Sequence, residues 1–172
     1  MQADRYNAVA RLLHWLIAAM IAINLATGLL HDPLEKLIRL MPFHKALGLT
    51  VLVLSCARLG WRLAWTAPPT LPGMGAAEIA AARGVHVVLY ALMIAMPLSG
   101  WIMSSASTYP LSWFGLFAVP KLAVAKGSAL AGFAHEFHEL GGWIMLALVA
   151  GHALAALRHH FILRDGVLRR ML

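Results

Sequence analysis

The sequence predicts an all-α fold: an integral membrane bundle of four helices, with both termini on the cytoplasmic side. Three observations carry this reading. Hydrophobic residues make up 61% of the 172 residues and charged residues 12%, whereas a soluble domain carries roughly 25% charged residues. Four nearly charge-free stretches are each long enough to cross a bilayer, which takes about 20 apolar residues per helix. The basic residues gather at the ends of those stretches and divide unevenly between the two sides.

The first span runs from about Leu12 to Leu30, between Arg11 and Asp32. It lacks a small-residue cleavage site and reads as a full span rather than a cleaved leader. The second starts near His44 and ends around Arg62 to Trp65. A linker from Thr66 to Gly75 follows, and its prolines Pro68, Pro69 and Pro72 exclude regular helix. The third span goes from about Gly84 to Ser105, with Pro97 expected to kink it. The segment Tyr109 to Gly127, with Pro110, Trp113, Phe114 and Pro120, reads as a loop with an interfacial aromatic anchor. The fourth span starts near Phe133 and reaches Arg158 or slightly beyond. No internal repeat is evident, and residues 1–172 read as one domain.

Four spans put both termini on one side. That side holds Arg5, Arg11, Arg58, Arg62, Arg83, Arg158, Arg164, Arg169 and Arg170, and the other holds Lys36, Arg39, Lys45, Lys121 and Lys126. The excess predicts cytoplasmic termini, with Trp61 and Trp65 at that interface. In a bacterial inner membrane the opposite side is the periplasm. The net charge of +7 is therefore topology, and no recognition motif makes it a nucleic-acid surface. The single cysteine, Cys56, excludes an internal disulfide and reads as a small packing residue. There is no C-x-x-C-H for covalent haem attachment and no Gly-rich phosphate loop.

Nine histidines is a high count for so apolar a chain, and ionisable residues within a membrane are costly enough to suggest function. His138 and His152 lie 14 residues apart on the fourth span. That spacing is roughly 21 Å along a helix, and the two positions differ by roughly 40° around the axis. One helix face thus offers one imidazole near each side of the membrane. His14, just inside the first span, matches His152 in depth; His44, at the start of the second, matches His138. These pairings predict two bis-histidine haem sites built from facing helices. Gly48, Gly141, Gly142 and Gly151 lie near these histidines and leave room for a flat macrocycle or for close helix packing. His31, His135, His159 and His160 read as interfacial polar residues. His86 is open between a hydrogen-bonding role toward a propionate or quinone and competition with His14. Arg11, Arg58, Arg62 and Lys45 are candidate partners for the anionic propionates.

The segments RLLHWL (Arg11–Leu16), PFHKALGL (Pro42–Leu49), GVHVVLYALMIAMPLSGWIMS (Gly84–Ser104), HELGG from His138, GHALAALRHHF ending at Phe161, and RDGVLRRM (Arg164–Met171) resemble the bacterial cytochrome b561 family. The resemblance covers almost the whole chain. It implies a four-helix, di-haem membrane cytochrome b whose two non-covalent b haems are held at His14, His44, His138 and His152. It implies electron transport in the bacterial inner membrane. In one branch of the family superoxide is oxidised to dioxygen and ubiquinone is reduced. The alternative is an electron-transfer or anchor subunit of a larger respiratory dehydrogenase, with a protein redox partner. Lys45, Lys121, Lys126 and His135 are candidates for steering an anion to the periplasmic site. No catalytic residue beyond the ligands is assigned.

Overall fold

A computed structural model describes residues 5–71 and 73–172; Pro72 lies outside the described residues. Four long helices dominate: α1 (Ala8–Leu34), α2 (Met41–Ala64), α3 (Ala76–Ala106) and α4 (Ala129–Arg158). All four are long and apolar enough to cross a membrane. They outrun the apolar stretches because the ends are set by capping, which hydropathy does not register. Asn7 caps α1 by accepting a hydrogen bond from the Ala10 amide (2.8 Å), and Ser128 caps α4 through the Ala131 amide (3.3 Å). Pro42 opens α2, where its missing N–H leaves no bond unmade. Pro97 sits inside a continuous α3. At 31 residues that helix is about 46 Å long, against a hydrocarbon core of about 30 Å.

α1 packs on α2, α2 on α3 and α3 on α4. The core is a layer of aliphatic and thioether side chains from all four helices: Ile17 and Ile21, Val51, Leu92 and Met93, and Met145. The outward faces are apolar and exposed, with Leu12, Val53, Leu63, Val87, Leu140 and Leu154 among them. This inversion suits a lipid surround. Cys56 belongs to that exposed face and is not the packing residue the sequence suggests.

The α3–α4 connection is not a plain loop. Strands β1 (Ser112–Trp113) and β2 (Phe117–Ala118) pair antiparallel. Phe114 and Gly115 turn the chain between them with φ of 48° and 76°; glycine tolerates that region without cost. Trp113 donates its indole N–H to Thr50 Oγ1 in α2 (2.9 Å). It is tied to the bundle, and the exposed aromatics of this connection are Tyr109, Phe114 and Phe117.

At the opposite end the tail folds back on α1. The Tyr6 amide donates to Arg170 O (3.0 Å), Trp15 Nε1 to Met171 O (2.7 Å), and Arg11 to Leu172 O. Beyond α4 a π-helical turn, His159–Leu163, ends on Arg164 in the left-handed region. Both termini therefore lie together at one end, the termini end; the β-hairpin lies at the other, the hairpin end.

Candidate functional site

Two clusters of imidazoles lie at the two ends of the bundle, separated by the apolar layer. At the hairpin end His44 of α2 meets His138 of α4, ring centres 6.1 Å apart and planes at 78°. At the termini end His14 of α1 meets His152 of α4 at 6.2 Å and 84°. His86 of α3 joins the second cluster, 5.3 Å from His152. The structure thus brings together both pairs matched by depth in the sequence. Met145 lies midway between His138 and His152 on α4, and Ile21 and Val51 fill the same level.

An imidazole nitrogen binds a transition metal at about 2 Å with the ring centre roughly 1 Å behind it, so two rings on opposite sides of one metal are centred roughly 6 Å apart. Both pairs meet that spacing. Among the described residues no three His, Cys, Asp or Glu converge as a site for a bare metal ion. The facing pairs suit a planar cofactor that brings the rest of its own ligands, with His86 a third imidazole beside the pair at the termini end.

The hairpin-end pair has a built support. His44 Nδ1 lies 3.0 Å from Asn24 O and 3.3 Å from Thr27 Oγ1, and the Thr27 hydroxyl donates to that same carbonyl at 3.0 Å. His138 Nδ1 lies 3.1 Å from Met96 O and 2.9 Å from Ser99 Oγ, and Ser99 donates to Met96 O at 2.8 Å. A carbonyl only accepts, so Nδ1 carries the proton in both rings and Nε2 keeps its lone pair, the form a metal ligand needs. A glycine closes each support: a Cβ on Gly28 would stand 3.0 Å from His44 Cε1, and one on Gly100 3.1 Å from His138 Cε1.

These supports expose a correspondence missed in the sequence, where no repeat is evident. His14, Thr27 and Gly28 on α1 have the spacing of His86, Ser99 and Gly100 on α3. His44, Val51 and Arg58 on α2 have the spacing of His138, Met145 and His152 on α4. Each hairpin of helices carries the same plan: the leading helix cradles the hairpin-end histidine of the following one. The departure is at the termini end, where Arg58 occupies the place that His152 has in α4. Arg58 donates to Ala10 O, one helical turn before His14 (2.9 Å), and lies over the Tyr90 ring.

The other glycines divide. A Cβ on Gly141 would meet Met96 Sδ at 2.5 Å and one on Gly48 would meet Asn24 Nδ2 at 3.4 Å, so both serve helix packing. One on Gly151 would meet nothing within 4 Å. His31 is engaged at the rim by Gly28 O (2.6 Å) and Asp32 (3.0 Å). His159 is not a simple rim residue: it is buried, bonded through Nδ1 to Asp165 and through Nε2 to Glu78 at 3.3 Å. It ties the start of α3 to the end of α4 and the tail.

Comparison with known proteins agrees with this architecture. Residues 5–172 match the prokaryotic cytochrome b561 family. Cytochrome b561 homolog 2 of Escherichia coli (strain K12) is 34% identical, aligned over 98% of this chain and 92% of its own length. Cytochrome b561 homolog 1 of the same organism is 30% identical over 98% and 97%. A protein of Yersinia pestis named probable superoxide oxidase CybB is 27% identical over 98% and 96%. The chain belongs to the prokaryotic cytochrome b561 family, membrane electron-transfer proteins that bind haem b.

Proposed function

We propose that this protein is a di-haem cytochrome that oxidises superoxide to dioxygen and reduces ubiquinone, with His44 and His138 holding one b haem and His14 and His152 the other. The observation that carries the reading is the pair of imidazole contacts at 6.1 and 6.2 Å, one at each end of a single apolar bundle. Haem held by these histidines would supply one-electron chemistry, and with two imidazoles given to each iron no position would remain open for dioxygen, so electrons would pass through the haem edge. Two superoxide anions give up one electron each and leave as dioxygen; ubiquinone takes both electrons with two protons.

The chain's own residues supply the rest. Thr27, Ser99 and the two carbonyls hold the hairpin-end rings with Nε2 free. The apolar layer around Ile21, Val51 and Met145 excludes water between the two ends. Lys45 and Lys121 stand close enough to act on each other, and with Lys126 and His135 they make the hairpin end basic, as an anion's approach requires. The excess of arginine at the termini end supports a cytoplasmic position for that end in a bacterial inner membrane, with the hairpin end facing the periplasm. Superoxide oxidation draws on the name of the Yersinia pestis relative. The relatives at 34% and 30% identity are named for the family alone, and their names are compatible with a subunit that takes electrons from a protein partner.

Rapid mixing separates the two readings. The oxidised protein, with its haem content established at two per chain, is mixed with superoxide at low ionic strength. Reduction within milliseconds, followed by reoxidation on adding a soluble ubiquinone, is expected. Absence of reduction, together with co-purification of a stoichiometric redox protein, would replace superoxide by that partner.

A further inference from the structure

The two ends of the bundle differ in what surrounds their imidazoles. At the hairpin end both rings give an Nδ1–H to a carbonyl and hydroxyl pair, Asn24 O with Thr27 and Met96 O with Ser99. Neither His14 nor His152 has such a partner among the described residues. At their end the guanidinium of Arg58, in the place corresponding to a histidine, is held on Ala10 O, one helical turn before His14, at 2.9 Å. The hairpin end has cations of its own in Lys45, next to His44, and Lys121, which donates to Ser107 O at 2.5 Å.

The paired cradles and the Arg58 charge act in one direction. Donation from Nδ1–H makes an imidazole a stronger electron donor at Nε2, which favours an oxidised metal. A nearby fixed cation favours a reduced one by Coulomb attraction for the added electron. We propose that Thr27 and Ser99, each followed by its glycine, are positioning residues that make the hairpin-end centre the lower-potential one, so that electrons run from it to the centre beside Arg58. Each transfer oxidises the first centre by one electron and reduces the second by one, and no bond forms or breaks. The inference rests on the haem assignment proposed above.

The test is potentiometry of the purified holoprotein, followed by optical and electron paramagnetic resonance spectra, with haem counted in every sample. His152→Ala should leave a haem that matches the lower-potential component of the parent protein. Ser99→Ala and Thr27→Val should each favour reduction of that component about threefold to tenfold, roughly 30 to 60 mV at 59 mV per tenfold for one electron. The other component should stay in place, and Ser99→Thr should restore the parent value. The two hydroxyls sit on different helices, so loss of haem from one variant leaves the other to decide. The proposal is overturned if the haem left in His152→Ala is the higher-potential one, or if removing the hydroxyls shifts neither component or both alike. Fewer than two haems in the parent protein would instead refute the assignment on which it rests.

Discussion

Gly100→Ala is a one-methyl change whose two consequences have opposite signs. The added Cβ would stand 3.1 Å from His138 Cε1 and 3.5 Å from its Nδ1. Ordinary carbon–carbon contact is about 3.5 to 4.0 Å, so the ring must retreat by roughly 0.4 Å or more. Neither side yields easily, because the methyl is fixed to the α3 backbone and the ring is held by Ser99 and Met96 O. Metal sites tolerate about 0.2 Å, and disturbing the groups that orient a ligand costs about 10- to 100-fold in affinity, or roughly 1.4 to 2.8 kcal/mol. Alanine is also a better helix former than glycine by about 1 kcal/mol, so the haem-depleted protein should gain stability while the holoprotein loses haem. Transfer of haem to a soluble haem-scavenging protein measures the first effect, and thermal unfolding of depleted protein the second. Gly132→Ala in α4, where an added Cβ meets nothing within 4 Å, is the control and should change only helix stability. A Gly100→Ala protein that kept both haems as tightly as its parent would refute the cradle.

Three further outcomes are expected. His138→Ala should lose the hairpin-end haem alone and His152→Ala the other; loss of the same haem from both, read by spectrum and quantitation, would sink the pairing by depth. Met145→Ala, which truncates the buried centre of the apolar layer, should cost about 2 to 5 kcal/mol, read as a lower unfolding temperature; an unchanged temperature would show that the layer does not hold the bundle. Partial burial raises the Asp165 carboxyl pKa, but hydrogen bonds from His159 and the Val167 amide outweigh it and hold it below the usual carboxylate range. Its stabilising contribution is therefore present above the unfolded carboxylate value of about 3.9 and is lost as pH falls through the lower folded value. Asp165→Asn should abolish that part of the acid dependence and open the tail to proteolysis; a tail equally protected in both proteins would remove His159 and Asp165 from its anchoring.

What the sequence discloses is what depends on position along a helix. Depth follows from residue number at 1.5 Å per residue, so the spans and the pairings of His14 with His152 and His44 with His138 could be read before any coordinates. Helix ends were misplaced, by up to eight residues at Ala76, because polar and small residues outside the apolar stretch still continue the helix. The cradles were missed because their principal acceptor is a backbone carbonyl, which no residue type announces. The signal available was a hydroxyl residue followed by glycine at the depth of a histidine, Thr27–Gly28 and Ser99–Gly100. The buried state of His159 depends on the π-helical turn that folds Asp165 back on it, and nothing in the spacing of that histidine indicates the turn.

The correspondence between the two hairpins explains why a single bundle has two unlike ends. If both hairpins carried the plan in full, the termini end would present His14 and His86 from the leading helices and two more histidines from α2 and α4. Four imidazoles there would form two equivalent pairs, His14 with His152 and His86 with its counterpart in α2. Arg58 stands at that counterpart and cannot serve as a neutral nitrogen ligand, since a guanidinium stays protonated. Arginine at that place leaves His14 and His152 as the proposed pair at this end, with His86 beside it, 5.3 Å from His152, and brings a fixed positive charge. At the hairpin end the corresponding residues, His44 and His138, meet each other directly, so the same plan yields one pair with two identical cradles. Arg58 therefore adds to the asymmetry that the Thr27 and Ser99 cradles create in the proposed transfer, and Arg58→Gln tests its share: the termini-end potential should fall toward that of the hairpin end, and an unmoved potential would detach the charge from the direction of transfer.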